Sequence, residues 1–144
     1  DVIGFTKSIE PMLERFHKKA LILGTGGSAK AIHYGLRSLG LETLFVSRTA
    51  KADAITYDEV TPELIRDYHV VVNCTPCGMY PKADACPPLP YDAMDSHHLL
   101  YDLIYNPDET RFMQKGIERG ALVKNGLEML LLQAFESWNF WHQQ

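Results

Sequence analysis

Ala20-Leu21-Ile22-Leu23-Gly24-Thr25-Gly26-Gly27-Ser28-Ala29-Lys30-Ala31, followed by Leu44-Phe45-Val46-Ser47-Arg48-Thr49, is the stretch from which the architecture of this chain can be read. Four apolar residues form a strand that has no polar face, as expected where both sides of a sheet are covered. Glycines then break the strand, and Ala31, Ile32, Leu36 and Leu39 recur at helical spacing over about Gly27 to Leu39. Gly40 suits the left-handed residue that closes such a helix. Thr43 to Ser47 reads as a second strand. Strand, glycine turn, helix and strand make one βαβ unit, whose crossover is right-handed.

The same alternation continues outward. Ala54 to Tyr57 suits a short edge strand, and Thr61-Pro62-Glu63 opens a helix with a cap and a proline. Tyr68 to Cys74 and Leu99 to Tyr105 are continuous apolar runs, hence buried parallel strands. Asn106-Pro107-Asp108-Glu109 has the composition of a helix start, with two acids against the dipole. A short strand near Ala121 to Lys124 leads to Asn125, which can cap the last helix with Glu128 three places on. At the other end, Val2 to Phe16 is loosely helical. It is interrupted between Thr6 and Pro11, and Ser8 is placed to cap a second helix. Pro76 to His98 carries four further prolines and reads as a long functional or mobile loop. The fold class is therefore α/β: a Rossmann-like, doubly wound, mainly parallel sheet flanked by helices, forming one domain over residues 1–144.

Composition narrows the function classes. The chain has 144 residues, 46% of them apolar and 22% charged, as in ordinary soluble domains. No apolar run approaches the length of a membrane span. A net charge of −4, with no massed basic segment, argues against nucleic acid as partner. Three cysteines, without a signal peptide, suggest a reducing, cytoplasmic setting. The opening at Asp1, with no initiator methionine, suggests a piece of a longer protein.

Gly24, Gly26 and Ala29 fit the G-x-G-x-x-G/A pattern after a strand and before a helix. The first glycine permits the tight turn, the second admits a pyrophosphate close to the backbone, and the small third residue lets helix and strand pack. The helix start, Gly27 and Ser28 included, offers its N–H groups and dipole to phosphate. An acid at the end of the second strand would bond the ribose 2′-hydroxyl. Ser47, Arg48 and Thr49 stand there instead, with Lys51 close by. Arg48 can fork onto a 2′-phosphate, which points to NADP as cofactor. Arginine at a strand end is also compatible with a plain solvated side chain.

Asn73-Cys74-Thr75-Pro76-Cys77-Gly78-Met79 falls at the carboxyl end of a strand, where open α/β sheets bind ligands, so Thr75 is a candidate for the cofactor edge. Cys74 and Cys77 have a C-x-x-C spacing, with Cys86, His97 and His98 downstream. The matching second half of a zinc motif is missing, so no metal is expected. Taken singly, Asp1, Tyr105, Asn125 and Gln133 each have an ordinary structural explanation: terminus, strand end, cap and exposed helix.

In order and spacing, however, the motifs resemble those of the shikimate dehydrogenases, over their C-terminal, nucleotide-binding part. Asp1-Val2-Ile3-Gly4-Phe5 is similar to the end of that family's N-T-D-x-x-G-F segment. Gly24-Thr25-Gly26-Gly27 with Ala31 resembles its G-x-G-G-x-x-x-A turn, and Ser47-Arg48-Thr49 its N-R-T. Asn73 to Met79 resembles N-x-T-x-x-G-M, Asp102 to Pro107 resembles D-x-x-Y-x-P, and Gly126 to Ala134 resembles G-L-x-M-L-x-x-Q-A.

The resemblance implies reversible hydride transfer between NADP(H) and shikimate, in chorismate and aromatic amino-acid biosynthesis. Asp1 falls on a catalytic aspartate that works with a lysine, and Tyr105 and Gln133 on substrate contacts. Gly126, Met129 and Leu103 fall where nicotinamide is held. Ser47, Arg48 and Thr49 fall at the 2′-phosphate, and Thr75 at the cofactor edge. Helices in 1–16 and 126–141 would face an N-terminal substrate domain. Because that domain and its lysine lie outside these residues, the chain alone is expected to be inactive. Ser47 departs from the family asparagine and is shorter. Three other readings remain open: an NAD-accepting quinate/shikimate dehydrogenase, another two-domain NADP reductase, and a regulatory module that binds nucleotide without catalysis.

Overall fold

A computed structural model describes residues 2–142. Six strands form one sheet in which every pairing is parallel: β1 (Lys19–Leu23), β2 (Glu42–Ser47), β3 (Ala54–Thr56), β4 (Val70–Asn73), β5 (Leu99–Asp102) and β6 (Leu122–Lys124). Their spatial order is β3-β2-β1-β4-β5-β6. The chain thus leaves β1 in one direction and later returns to its other side, which opens a crevice between β1 and β4.

Alternate residues along each strand explain why the sequence shows no polar face. Ala20 and Ile22 join Phe5, Ile32, Leu36, Val72 and Tyr101 in one buried cluster. Leu21 and Leu23 join Val46, Ile65, Val71, Leu100 and Phe112 in a second. The first lies against α1 (Val2–Ile9) and α2 (Gly27–Ser38), the second against α3 (Pro62–Asp67) and α4 (Arg111–Glu118). The long α5 (Leu127–His142) packs beside α1 and buries none of its residues fully.

Some local expectations need correction. The leading helix does break within the expected interval, Thr6 to Pro11: α1 runs to Ile9 and passes into a 3-10 turn, Glu10–Met12, that holds Pro11. The helical part ends there, short of Phe16. Ser8 is not a cap, because its hydroxyl is buried, donating to Phe5 O at 2.8 Å and sitting 2.6 Å from Tyr101 Oη. Asn106 to Glu109 does not open a helix. Thr110 does, its side chain accepting from Met113 N at the start of α4, because the Asp102 carboxylate fixes that hydroxyl.

Asn125 caps α5 through Leu127 N at 3.0 Å, but Glu128 turns back to Lys124 at 2.9 Å instead of completing a capping box. The segment from Pro76 to His98 does lack regular strands, yet it is a packed strap rather than a free loop. Its Tyr91 and Met94 are buried beside Phe112.

Candidate functional site

The carboxyl edge of the sheet carries most of the residues singled out by sequence. Gly24 adopts φ +110°, a conformation unfavourable to side chains, and its N–H donates to Val46 O at 2.9 Å. A Cβ there would also press on Thr75 Cγ2. Gly26 and Gly27 differ: a Cβ at either would stand in open space. That space lies directly before the first turn of α2, where backbone N–H groups have no helical acceptor. Ala29 is buried in the first cluster, as the close helix–strand packing requires.

The exit of β2 divides its polar residues. Ser47 is buried, and its Oγ accepts from Thr49 N at 3.2 Å, so it shapes its own loop. Arg48 is exposed, with its charge felt by Tyr57 and Cys77. Lys51 reaches across to the glycine turn and donates from Nζ to Thr25 Oγ1 at 2.8 Å. Lys51 therefore stands at that turn, while Arg48 follows the end of the neighbouring strand β2, whose Val46 O accepts from Gly24 N.

Between the ends of β4 and β5 lies a cleft of about 410 Å³, walled by Ser28, Cys74, Thr75, Pro76, Leu103, Ile104 and Tyr105 among others. Gly126 closes in on Leu103 so tightly that a Cβ would collide with the Leu103 carbonyl, and Gly126 N donates to Ile104 O at 3.2 Å. Met129 packs near Leu103 against the first cluster. Leu103 thus lines the cleft with Gly126 pressed against its backbone, and Met129 packs on the same buried cluster as Leu103. Gln133 instead lies in a separate hollow of about 360 Å³ between α1 and α5. Asp1, the catalytic candidate, falls outside the described residues.

Sequence reasoning missed the group that holds this edge together. Asn73 and Asp102 are fully buried at the ends of neighbouring strands. Asn73 Oδ1 accepts from Thr75 N at 3.1 Å and Thr75 Oγ1 at 2.6 Å, and Thr75 Oγ1 in turn accepts from Cys77 N. The Thr75 hydroxyl is therefore committed to the turn. Asp102 Oδ1 accepts from Asn73 Nδ2 and Ile104 N, both at 3.1 Å, while Oδ2 accepts from Thr110 Oγ1 at 2.7 Å. Burial pushes the Asp102 carboxyl up to about 6, although these bonds oppose the rise. The same burial raises the Cys74 and Cys77 thiols. The sequence signals for this group were two polar residues closing apolar strands and their place at the head of two of the family-like motifs, neither of which states that they meet.

The cysteines and histidines do not converge. His98 is tied to Ile65 O and His97 to Asp95, and among the described residues no three His, Cys, Asp or Glu side chains form a group that could hold a metal ion. Among the described residues no helix is long and apolar enough to cross a membrane.

A parallel sheet in the order 3-2-1-4-5-6, with a glycine turn and helix start at its switch point, defines a doubly wound domain of the dinucleotide-binding class. No protein-family model matches the chain. A shikimate dehydrogenase (NADP+) from Carboxydothermus hydrogenoformans is 38% identical over 156 residues, covering 96% of this chain and 56% of the relative. Among solved structures, a chorismate mutase/shikimate 5-dehydrogenase fusion protein from Clostridium acetobutylicum superposes with a TM-score of 0.84 at 33% identity, over 99% of this chain and 53% of that one. The shikimate 5-dehydrogenase of Thermus thermophilus, solved in complex with NADP(H) and shikimate, gives a TM-score of 0.82 at 28% identity, over 99% and 56%. The chain belongs to the shikimate dehydrogenase family, as a match to its C-terminal domain. It spans about half the length of the curated relatives it matches.

Proposed function

We propose that this chain is the NADP(H)-binding domain of a shikimate dehydrogenase, which reversibly reduces 3-dehydroshikimate to shikimate with NADPH. The observation that carries the reading is the open glycine turn, with Lys51 bonded to it and Arg48 exposed just beyond the end of the neighbouring strand β2. Open space at Gly26 and Gly27 suits a pyrophosphate, since no side chain fills it and unpaired helical N–H groups border it. A guanidinium at the end of β2 favours a 2′-phosphate where a carboxylate would repel one.

When bound, the dinucleotide would supply or accept the hydride. The chain's own residues orient and shield it. Gly24, Gly26, Gly27 and Ser28 cradle the pyrophosphate. Arg48, Thr49 and Lys51 hold the adenosine phosphate, with Ser47 setting the loop that carries them. Thr75 shapes the cofactor edge, and Leu103, Gly126 and Met129 form an apolar wall that excludes water from the nicotinamide.

Asp1, Tyr105 and Gln133 are assigned to the substrate, Asp1 exchanging a proton with the reacting alcohol. Tyr105 fits best, since it stands half exposed at the cleft wall. An aspartate is a weak base near neutrality, so a lysine partner from an N-terminal domain completes the pair. The helices α1 and α5 would face that domain. Ile3, Leu131, Phe135, Trp138 and Trp141 leave them an apolar surface to offer it.

The test is a titration paired with an assay on the isolated chain. NADPH is taken up, while shikimate and NADP+ yield no NADPH. Turnover by the isolated chain would contradict the need for a second domain, and absence of NADPH uptake would overturn the cofactor assignment.

A further inference from the structure

Asp102 presents a puzzle that its hydrogen bonds do not resolve. It is fully buried, yet its three donors are all neutral: the Asn73 amide, the Ile104 N–H and the Thr110 hydroxyl. No Lys, Arg or His among the described residues forms an ion pair with it. The titratable groups whose fields reach it are the thiols of Cys74 and Cys77, both shifted toward the neutral form. An asparagine would keep two of these partners, its oxygen accepting from Asn73 and Ile104, while the Thr110 hydroxyl, which also accepts from Met113 N, would lose the acceptor of its proton. Beyond that one acceptor, the carboxylate adds a negative charge, and a buried charge disfavours folding.

That charge lies beside the cleft. Leu103 and Ile104, the next residues in the chain, line it, and so does Cys74 at the end of the neighbouring strand. A low-dielectric wall transmits the field of such a group far better than solvent does. The nicotinamide ring is cationic when oxidised and neutral when reduced. A fixed anion nearby therefore discriminates between the two forms.

We propose that the Asp102 carboxylate tunes the cleft toward oxidised dinucleotide, through its charge, while its hydrogen bonds hold the cleft wall in place. The inference rests on the reading that this cleft receives a nicotinamide cofactor. Because the carboxyl titrates near about 6, the bias is strong in mild alkali and fades in mild acid.

The experiment is calorimetric titration of NADP+ and of NADPH into the chain and its Asp102→Asn variant, at about pH 5.5 and about pH 8. The 2′-phosphate titrates alike in both cofactor forms, so the ratio of their affinities cancels it. In the wild-type chain, the preference for NADP+ over NADPH should rise by about three- to tenfold between the two pH values. In the variant the ratio should be flat and equal to the wild-type value in acid. A purely structural role would weaken both forms equally and leave the ratio unmoved, so matching ratios in variant and wild type at about pH 8 overturn the proposal. If the variant does not fold, a wild-type ratio that is independent of pH overturns it just as well. Failure of either form to bind at all would instead remove the cofactor reading on which it rests.

Discussion

The two edges of the sheet are built on opposite principles. At the carboxyl edge, glycines leave space, Arg48 and Lys51 bring charge to the surface, and a buried anion is held by neutral donors. At the amino edge, two histidines close twin turns. His17 Nδ1 accepts from Glu14 N at 2.8 Å and His98 Nδ1 accepts from Asp95 N at 3.1 Å. With Nδ1 accepting, each Nε2 carries the proton and donates, His17 to His97 O and His98 to Ile65 O, at 2.8 and 2.7 Å. Every ring nitrogen of this pair is satisfied by backbone, and the turns feed directly into β1 and β5. One edge is furnished for a ligand; the other is sewn shut.

The contrast extends to protons. Burial holds the His17 imidazole below its ordinary value, against the bond to His97 O and with His69, His98 and Glu14 nearby. The folded state therefore binds fewer protons than the unfolded one, so stability from His17 is complete above about 6.5 and falls on acidification below it. Asp102 runs the other way. Its folded value of about 6 exceeds the usual 3.8, so stability falls as pH rises from about 4 through about 6.

The comparison can be broken most forcefully at Asp102. Asp102→Ala would strand the Asn73 amide, Ile104 N–H and Thr110 hydroxyl in a dry interior, and should lower unfolding free energy by about 3–5 kcal/mol in urea titrations. Asp102→Asn keeps the Asn73 and Ile104 partners and relieves the buried charge, so it should lose clearly less than the alanine variant near neutrality; equal losses in both would show that the bonds are not what matters.

Arg48→Ala should leave the fold intact and collapse the NADPH-over-NADH preference by about ten- to a hundredfold, the worth of about 1.5–3 kcal/mol for a charge-assisted bond. An unchanged ratio would move the 2′-phosphate site elsewhere.

His17→Gln removes the acceptor for Glu14 N. It should reduce stability near neutrality by about 1 kcal/mol and flatten the loss seen on acidification, with cofactor affinity unaffected. A variant that keeps the wild-type acid limb would place the sensitive group among the other histidines.

Much of this molecule was legible because local rules and global fold agree. The strand Ala20 to Leu23, the glycine turn and the helix to Gly40 are each specified by residues within a few positions of one another. Thr61 caps α3 as its sequence suggests, accepting from Leu64 N at 3.2 Å. The misreadings share a cause: a polar side chain whose partner is distant in sequence. Ser8 looked like a cap, but its bond partner Tyr101 lies on β5. Asn106 looked like a helix start until Asp102 claimed Thr110. Asn73 and Asp102 were invisible as a pair, because nothing in the spacing of two strand ends states that the strands are neighbours. Gln133 could be placed on α5 but not in its own hollow, since the angle of α5 against α1 depends on the close approach of Gly4 to the Met129 carbonyl.

The most direct test of the whole account is a calorimetric titration of NADPH and NADH into the folded chain. Saturable uptake of NADPH, with NADH weaker by at least about tenfold, is the predicted result. No heat from NADPH at about millimolar concentration, or equal affinity for both cofactors, would contradict it.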